Sequence, residues 1–262
     1  MIALTLDRIA EITQTAIGGS ARPDAVVDGP AIIDSRQAAP GVLFAALSGE
    51  RVDGHDFAAA AIQAGAVAAL VSRPVDAPHL LAEGGDEGVV DALARLARYT
   101  AQELGDPRRG ADRTEVIAVT GSSGKTTTKD LIAQVVSRMG PTVAPAGSFN
   151  NEIGHPLTVL RADTDTRHLV LETAARGIGH IAHLCGVAPP RIGVVLNVGS
   201  AHMGEFGDRD AIAKAKGELV ESLPSASDGG VAILNADDPK VSAMASRTRA
   251  RVVSYGLDEE AH

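Results

Sequence analysis

One junction constrains this chain more than anything else in it. The apolar run Val116-Ile117-Ala118-Val119 passes straight into Thr120-Gly121-Ser122-Ser123-Gly124-Lys125-Thr126-Thr127-Thr128, and Leu131, Ile132 and Val135 then follow at helical spacing. Strand, small-residue loop, Lys-Thr and helix is the order of a phosphate-binding loop. Small residues let backbone N–H groups approach phosphate oxygens, and the helix N-terminus adds partial positive charge. Lys125 can then neutralise β- and γ-phosphates, and the Thr126 hydroxyl can ligate Mg²⁺. The general pattern G-x-x-x-x-G-K-[ST] asks for glycine at position 119, where this chain has Val119. The nearest glycine is Gly121, so the loop is a short variant. The competing reading is a plain strand-to-helix turn with a surface lysine. It leaves the agreement of strand, loop and helix unexplained.

Such a loop belongs at the carboxyl end of a parallel strand, and the flanking sequence supplies the rest of the sheet. Strand candidates are Val116–Thr120, Thr142–Ala144, Leu169–Glu172, Ile192–Val198, Val231–Asn235 and Arg251–Tyr255, with helix-period stretches between most of them. That alternation predicts an α/β fold with a doubly wound, mostly parallel sheet. Before it lies a smaller α/β region. Thr5 can cap a short helix carrying Leu6, Ile9 and Ile12, while Val42 to Leu47 and Val67 to Val71 read as buried strands. A helix opens at Asp53-Gly54-His55-Asp56, and another runs from Glu87 to Leu104. The segment Gly105 to Arg113, with one Pro, two Gly and five charges, has no apolar period. It predicts two domains, 1–107 and 108–262.

Composition removes several function classes. Lys plus Arg is 24 against 33 for Asp plus Glu, a net charge of −9, which argues against nucleic acid or an anionic membrane surface as main partner. Aromatic residues are 2%, too few for base-stacking platforms. No apolar run approaches the ~18 residues of a membrane span. No signal peptide is evident, so a cytoplasmic protein without membrane insertion is expected. Cys185 is the only cysteine, reads as a small buried residue beside Leu184, and excludes an intrachain disulfide.

In a doubly wound sheet, ligands sit beyond the carboxyl ends of the strands. Glu172 ends one strand run and Asn197 another, with His202 five residues on. Asn235 ends a third, followed by Asp237 and Asp238. Each alone could be a cap or a surface group. Together at the rim of a phosphate loop, they suggest metal ligation or the orientation of a reacting group. Lys216 stands out differently. Ile212, Lys216, Leu219 and Leu223 share one helix face, with Lys214 on the far side. A lysine there loses hydration, its pKa should fall, and it could take up CO₂ as a carbamate. A lysine snorkelling past the rim is the alternative.

With these segments in view, the chain resembles the ATP-dependent Mur ligases. Asp34-Ser35-Arg36, Pro40-Gly41-Val42-Leu43-Phe44 and Asp53-Gly54-His55-Asp56-Phe57 are similar to that family's N-terminal substrate domain, and Thr120 to Thr127 to its short phosphate loop. Four further stretches favour the member that adds D-alanyl-D-alanine. They are Phe149-Asn150-Asn151-Glu152-Ile153-Gly154, Ala175 to Ile181, Asn197-Val198-Gly199-Ser200-Ala201-His202 and Ala215-Lys216-Gly217-Glu218. Glu172-Thr173-Ala174 departs from the family, which often has Met-Gly after the Glu.

The resemblance implies roles. Gly121, Ser122, Ser123, Gly124, Lys125, Thr126 and Thr127 would hold ATP, with Asn235 and Asn151 nearby; Asn150 is the other candidate for that last position. Thr126, Glu172, His202 and a carbamylated Lys216 would serve two Mg²⁺ ions, and Lys125, Glu172, His202 and Lys216 would carry the catalysis. Ser35 and Arg36 would contact the UDP-sugar end of a UDP-MurNAc-tripeptide. The implied reaction is amide formation with D-alanyl-D-alanine through an acyl phosphate, in cytoplasmic peptidoglycan precursor synthesis, by a monomer. The family's C-terminal domain has no counterpart before His262, so the central domain is expected to be incomplete. The tripeptide-forming Mur ligase, and a nucleotide- and UDP-sugar-binding module without turnover, are the competing readings.

Overall fold

The computed structural model describes residues 1–49, 52–199 and 208–257. Contacts divide the chain into two compact units. The first holds Met1–Thr100 with Val159–Thr164, and the second holds Ala101–Thr158 with Asp165–His262. The division falls inside a continuous helix, a few residues before the Pro- and Gly-rich segment where sequence composition puts the boundary. Composition marks where the helix must stop, whereas contacts divide it before its last turn.

In the first unit the elements run β1 (Leu4–Thr5), α1 (Leu6–Thr13), β2 (Ala16–Gly18), β3 (Val26–Val27), β4 (Ala31–Ile32), β5 (Leu43–Ala45), α2 (Ala58–Gln63), β6 (Ala68–Val71), β7 (His79–Leu81) and α3 (Gly85–Leu104). The sheet order is β2-β7-β6-β5-β4, parallel except for the β2–β7 pair, and β1 and β3 form a separate antiparallel ribbon. Its core is small-residue rich, with Ile32, Val42, Phe44, Ala58, Ala61, Ala69 and Val71 packed together. Leu6 and Ile9 of α1 are fully buried; Thr5 stands at the N-cap, but its hydroxyl makes no capping bond. The helix expected at Asp53 begins as a 3₁₀ turn, Gly54–Phe57, in which the His55 amide donates to the Asp53 carboxylate.

The second unit carries β8 (Glu115–Thr120), α4 (Lys125–Val136), β9 (Thr142–Val143), α5 (Gly154–Val159), β10 (His168–Glu172), α6 (His180–Val187), β11 (Ile192–Val195), α7 (Arg209–Glu221), β12 (Val231–Asn235), α8 (Pro239–Ser242) and β13 (Arg251–Tyr255). The six strands pair in the order β13-β12-β11-β8-β10-β9, all parallel. This is the doubly wound α/β sheet expected. Period-2 alternation splits its core between two faces. Ala118, Val195 and Ala232 face Ile212, Ala215 and Leu219 of α7, while Ile117, Val119, Val170 and Val194 face Ile132, Ala133 and Val136 of α4. The chain leaves β8 for one side of the sheet, then crosses to β11 on the other. The crevice at the carboxyl end of β8 is thus the switch point where such sheets bind ligands. No helix among the described residues is long and apolar enough to cross a membrane.

Candidate functional site

The phosphate loop occupies that switch point. Gly121 is required by crowding, since a Cβ there would lie 2.9 Å from the Cβ of Leu196. Gly124 takes φ +80° at the N-cap of α4, where a side chain would be strained. The first turn of a helix leaves its N–H groups without intrahelical acceptors. Here those of Gly124, Lys125, Thr126 and Thr127 have no hydrogen-bond partner among the described residues. They form a ready anion cradle. The Lys125 ammonium folds over the loop and donates to the Gly121 carbonyl at 2.9 Å.

Beside the loop, β10 delivers Glu172, 2% exposed. The Thr126 hydroxyl donates to one of its carboxylate oxygens at 2.8 Å, and the Asn150 side-chain amide donates to the other at 2.7 Å. Ser148 Oγ lies 3.2 Å from the Thr126 hydroxyl. The acid, the threonine and an asparagine therefore converge. Asn151, the residue singled out from sequence, does something else: its side-chain oxygen accepts the Ile153 and Gly154 amides at 3.3 and 2.8 Å and caps α5. The residue that reaches Glu172 is Asn150. Asn151 is held away because a capping side chain must turn back onto its own helix. The loop carrying Asn150 is anchored from beneath by Lys129, fully buried on α4, whose ammonium donates to the Pro145 carbonyl at 2.6 Å.

Lys216 lies on the inner face of α7 and is 5% exposed, whereas Lys214 is exposed. Burial, and then the nearby Lys125 charge, pull its pKa down to about 8. No hydrogen-bond or ion-pair partner compensates it among the described residues. Two residues on, the buried Glu218 carboxylate accepts the amides of Gly179 and Ala182 at 2.6 and 3.0 Å, capping α6 and pinning the turn that follows β10. Asn235 sits at the end of β12 but points sideways: its amide donates to the Leu196 carbonyl at 2.9 Å, tying β12 to β11. The strand expected to run to Val198 ends at Val195, because residues 196–199 turn over the phosphate loop. His202 lies outside the described residues.

In the first unit, Asp34 accepts the Arg36 backbone amide at 3.0 Å and grips its guanidinium through both carboxylate oxygens. That guanidinium holds the Asp34 carboxyl down to about 2. Arg36 is presented outward and Ser35 is half-buried beside it. Cys185 is buried, and burial pushes its thiol up to about 12, so it is inert packing as the sequence suggests. Sequence reading missed the roles of Ser148, Lys129 and Glu218. It saw Asn197 as a polar strand end in a family-like stretch, without its side chain's direct contact with the phosphate loop. An Asn closing an apolar strand run beside such a loop is the signal that could have marked it.

What the arrangement can do is hold a polyphosphate against hard oxygen ligands, with an uncompensated lysine close by. Comparison with known proteins agrees. The Mur ligase middle domain matches residues 119–262, and the Mur ligase family catalytic domain matches residues 32–101. The UDP-N-acetylmuramoyl-tripeptide–D-alanyl-D-alanine ligase of Mycobacterium tuberculosis (strain ATCC 25618 / H37Rv) is 49% identical over 98% of this chain and 53% of its own length. A crystal structure of MurF from Acinetobacter baumannii superposes with a TM-score of 0.81 at 31% identity, over 97% of this chain and 53% of that one. MurF ligase from Thermotoga maritima, solved in complex with ADP, gives 0.73 at 34% identity over 88% of this chain and 51% of that one. The chain thus spans about half the length of these relatives. It belongs to the Mur ligase family.

Proposed function

We propose that this chain carries the nucleotide-binding and UDP-substrate-binding parts of a cytoplasmic ligase that joins D-alanyl-D-alanine to a UDP-MurNAc-tripeptide at the expense of ATP. Residues 1–107 would hold the UDP-sugar end through Ser35 and Arg36, and residues 108–262 would hold ATP. The observation that carries the reading is the convergence of Thr126, Glu172 and Asn150 beside an open phosphate loop, in a chain 49% identical to a ligase of that name.

The donor set suits Mg²⁺. A threonine hydroxyl and a carboxylate are hard oxygen ligands, and Mg²⁺ commonly takes only one or two carboxylates besides phosphate and water. Thr126 and Glu172 would hold one ion; His202 and Lys216 would serve a second. When bound, the ions would withdraw negative charge from the phosphates and screen the approach of an anion. For Lys216 to contribute, its sign must change. Its neutral amine attacks CO₂, a C–N bond forms, one proton leaves, and the side chain becomes a carbamate of charge −1. The pKa near 8 makes the neutral amine accessible at modest cost.

This chain's own groups then prepare the reaction. The four amides from Gly124 to Thr127 and the Lys125 ammonium would grip the β- and γ-phosphates. The terminal carboxylate of the tripeptide would attack the γ-phosphorus, ADP would leave, and an acyl phosphate would form. The amine of D-alanyl-D-alanine would then displace phosphate, releasing one proton. Bringing two anions together is the main physical demand, and fixed positive charge meets it without reorganisation. Phosphate release from ATP, measured with UDP-MurNAc-tripeptide in the presence and absence of D-alanyl-D-alanine, tests the reading. Release that needs both supports it. Saturable binding of ADP and UDP-substrate without release confines this chain to substrate binding, and absence of nucleotide binding refutes the reading.

A further inference from the structure

The short loop lacks the leading glycine of the general pattern, yet it is not loosely held. Asn197, just beyond β11, bonds to it through both side-chain polar atoms and its backbone carbonyl. Its side-chain oxygen accepts the amides of Ser122 and Ser123, each at 3.0 Å, and lies 3.5 Å from the Ser123 hydroxyl. Its side-chain nitrogen donates to the Ser123 carbonyl at 3.2 Å. Its backbone carbonyl accepts the Ser122 amide at 3.1 Å. From the same segment the Gly199 amide donates to the Ser122 hydroxyl at 2.9 Å.

The segment that carries Asn197 is itself fixed. Asn235 bonds to the Leu196 carbonyl at 2.9 Å, Asp238 accepts the Val198 amide at 2.7 Å, and Arg209 donates to the Val198 carbonyl at 2.6 Å. The result is a division of labour among the loop amides. Those of Ser122 and Ser123 are directed at Asn197. Those of Gly124 to Thr127 are left facing outward. Only a side chain with both an acceptor and a donor can satisfy Ser122, Ser123 and the Ser123 carbonyl together. Aspartate has the acceptors but not the donor, and it would place a negative charge against the phosphates.

We propose that Asn197 is the positioning residue of the phosphate loop: a neutral amide, borrowed from the neighbouring strand, that sets which backbone N–H groups face the nucleotide. This rests on the reading of the loop as a nucleotide site. The test uses the whole chain with ADP and Mg²⁺ as probe, in calorimetry, and amide hydrogen exchange at Ser122 and Ser123. Asn197→Asp should weaken ADP binding about tenfold or more through charge, while keeping Ser122 and Ser123 protected. Asn197→Ala should raise exchange about tenfold at Ser123, whose amide has the side-chain oxygen as its acceptor, and less at Ser122, which keeps the backbone carbonyl of residue 197, and it should also weaken ADP. Binding of UDP-MurNAc-tripeptide should be unchanged in both. Wild-type ADP affinity in both variants, or undiminished protection of Ser123 in Asn197→Ala, overturns the proposal and leaves the nucleotide reading intact. A wild-type chain that binds no ADP overturns both. If Asn197→Ala fails to fold, the isosteric Asn197→Asp decides alone.

Discussion

Replacing Lys216 with methionine should stabilise the protein at neutral pH, and the gain should vanish in alkali. Lys216 is 5% exposed on α7, and burial followed by the Lys125 charge lowers its pKa from 10.5 to about 8. At pH 7 both folded and unfolded states hold the proton, so the folded state bears the full cost of the buried ammonium. One pKa unit is worth ~1.36 kcal/mol, so a shift of this size corresponds to about 3 kcal/mol. Between pH 8 and 10.5 the folded lysine is neutral while the unfolded one is still charged. The unfolded state then binds more protons, and wild-type stability rises with pH. Lys216→Met, similar in volume and uncharged, lacks this rise. Urea denaturation of both proteins in CO₂-free buffer should show the variant ahead by about 3 kcal/mol at pH 7, with the gap closing by pH 10.5. Bicarbonate should then stabilise the wild type and leave the variant unmoved, because only the lysine can form a carbamate. A wild type more stable at pH 7, or a gap independent of pH, refutes the reasoning.

Glu218→Ala should cost about 2–3 kcal/mol in urea denaturation, since a charged acceptor leaves the amides of Gly179 and Ala182 unpaired. Glu172→Gln should lower affinity for ADP with Mg²⁺ far more than for ADP in EDTA; equal losses would detach Glu172 from the metal. Gly124→Ala should destabilise by about 1–2 kcal/mol, the cost of a Cβ at φ +80°. Cys185 should resist a thiol-directed disulfide reagent at pH 8 in the native protein and react promptly in urea; rapid native labelling would contradict its burial.

The sequence exposed what is periodic and hid what is not. Strands such as Glu115–Thr120 and His168–Glu172 were readable because parallel strands covered on both faces are nearly continuous apolar runs. The inward place of Lys216 followed from helical spacing alone. The pairing of β2 with β7 left no such trace: three residues, Ala16–Gly18, are too short to show alternation. Loops have no period at all. Whether Asn150 or Asn151 turns toward Glu172 depends on which of them caps α5, and adjacent identical residues give no hint. The end of β11 at Val195 was equally hidden, since Leu196 and Val198 are apolar like the strand while the backbone has already turned toward Ser122.

Lys129 has a consequence for accuracy. It stands one helical turn after Lys125, so α4 bears at one end the open loop amides and Thr126 and, one turn along, the ammonium that fastens Pro145 and the chain leading to Asn150. Both arms of the site are therefore referenced to a single rigid rod. If they were referenced to separate elements, thermal displacements of each would add, and a misplacement of ~1 Å can cost an enzymatic reaction about a hundredfold. Mounted on one helix, the threonine side and the asparagine side of Glu172 shift in common, and the gap between them keeps its width.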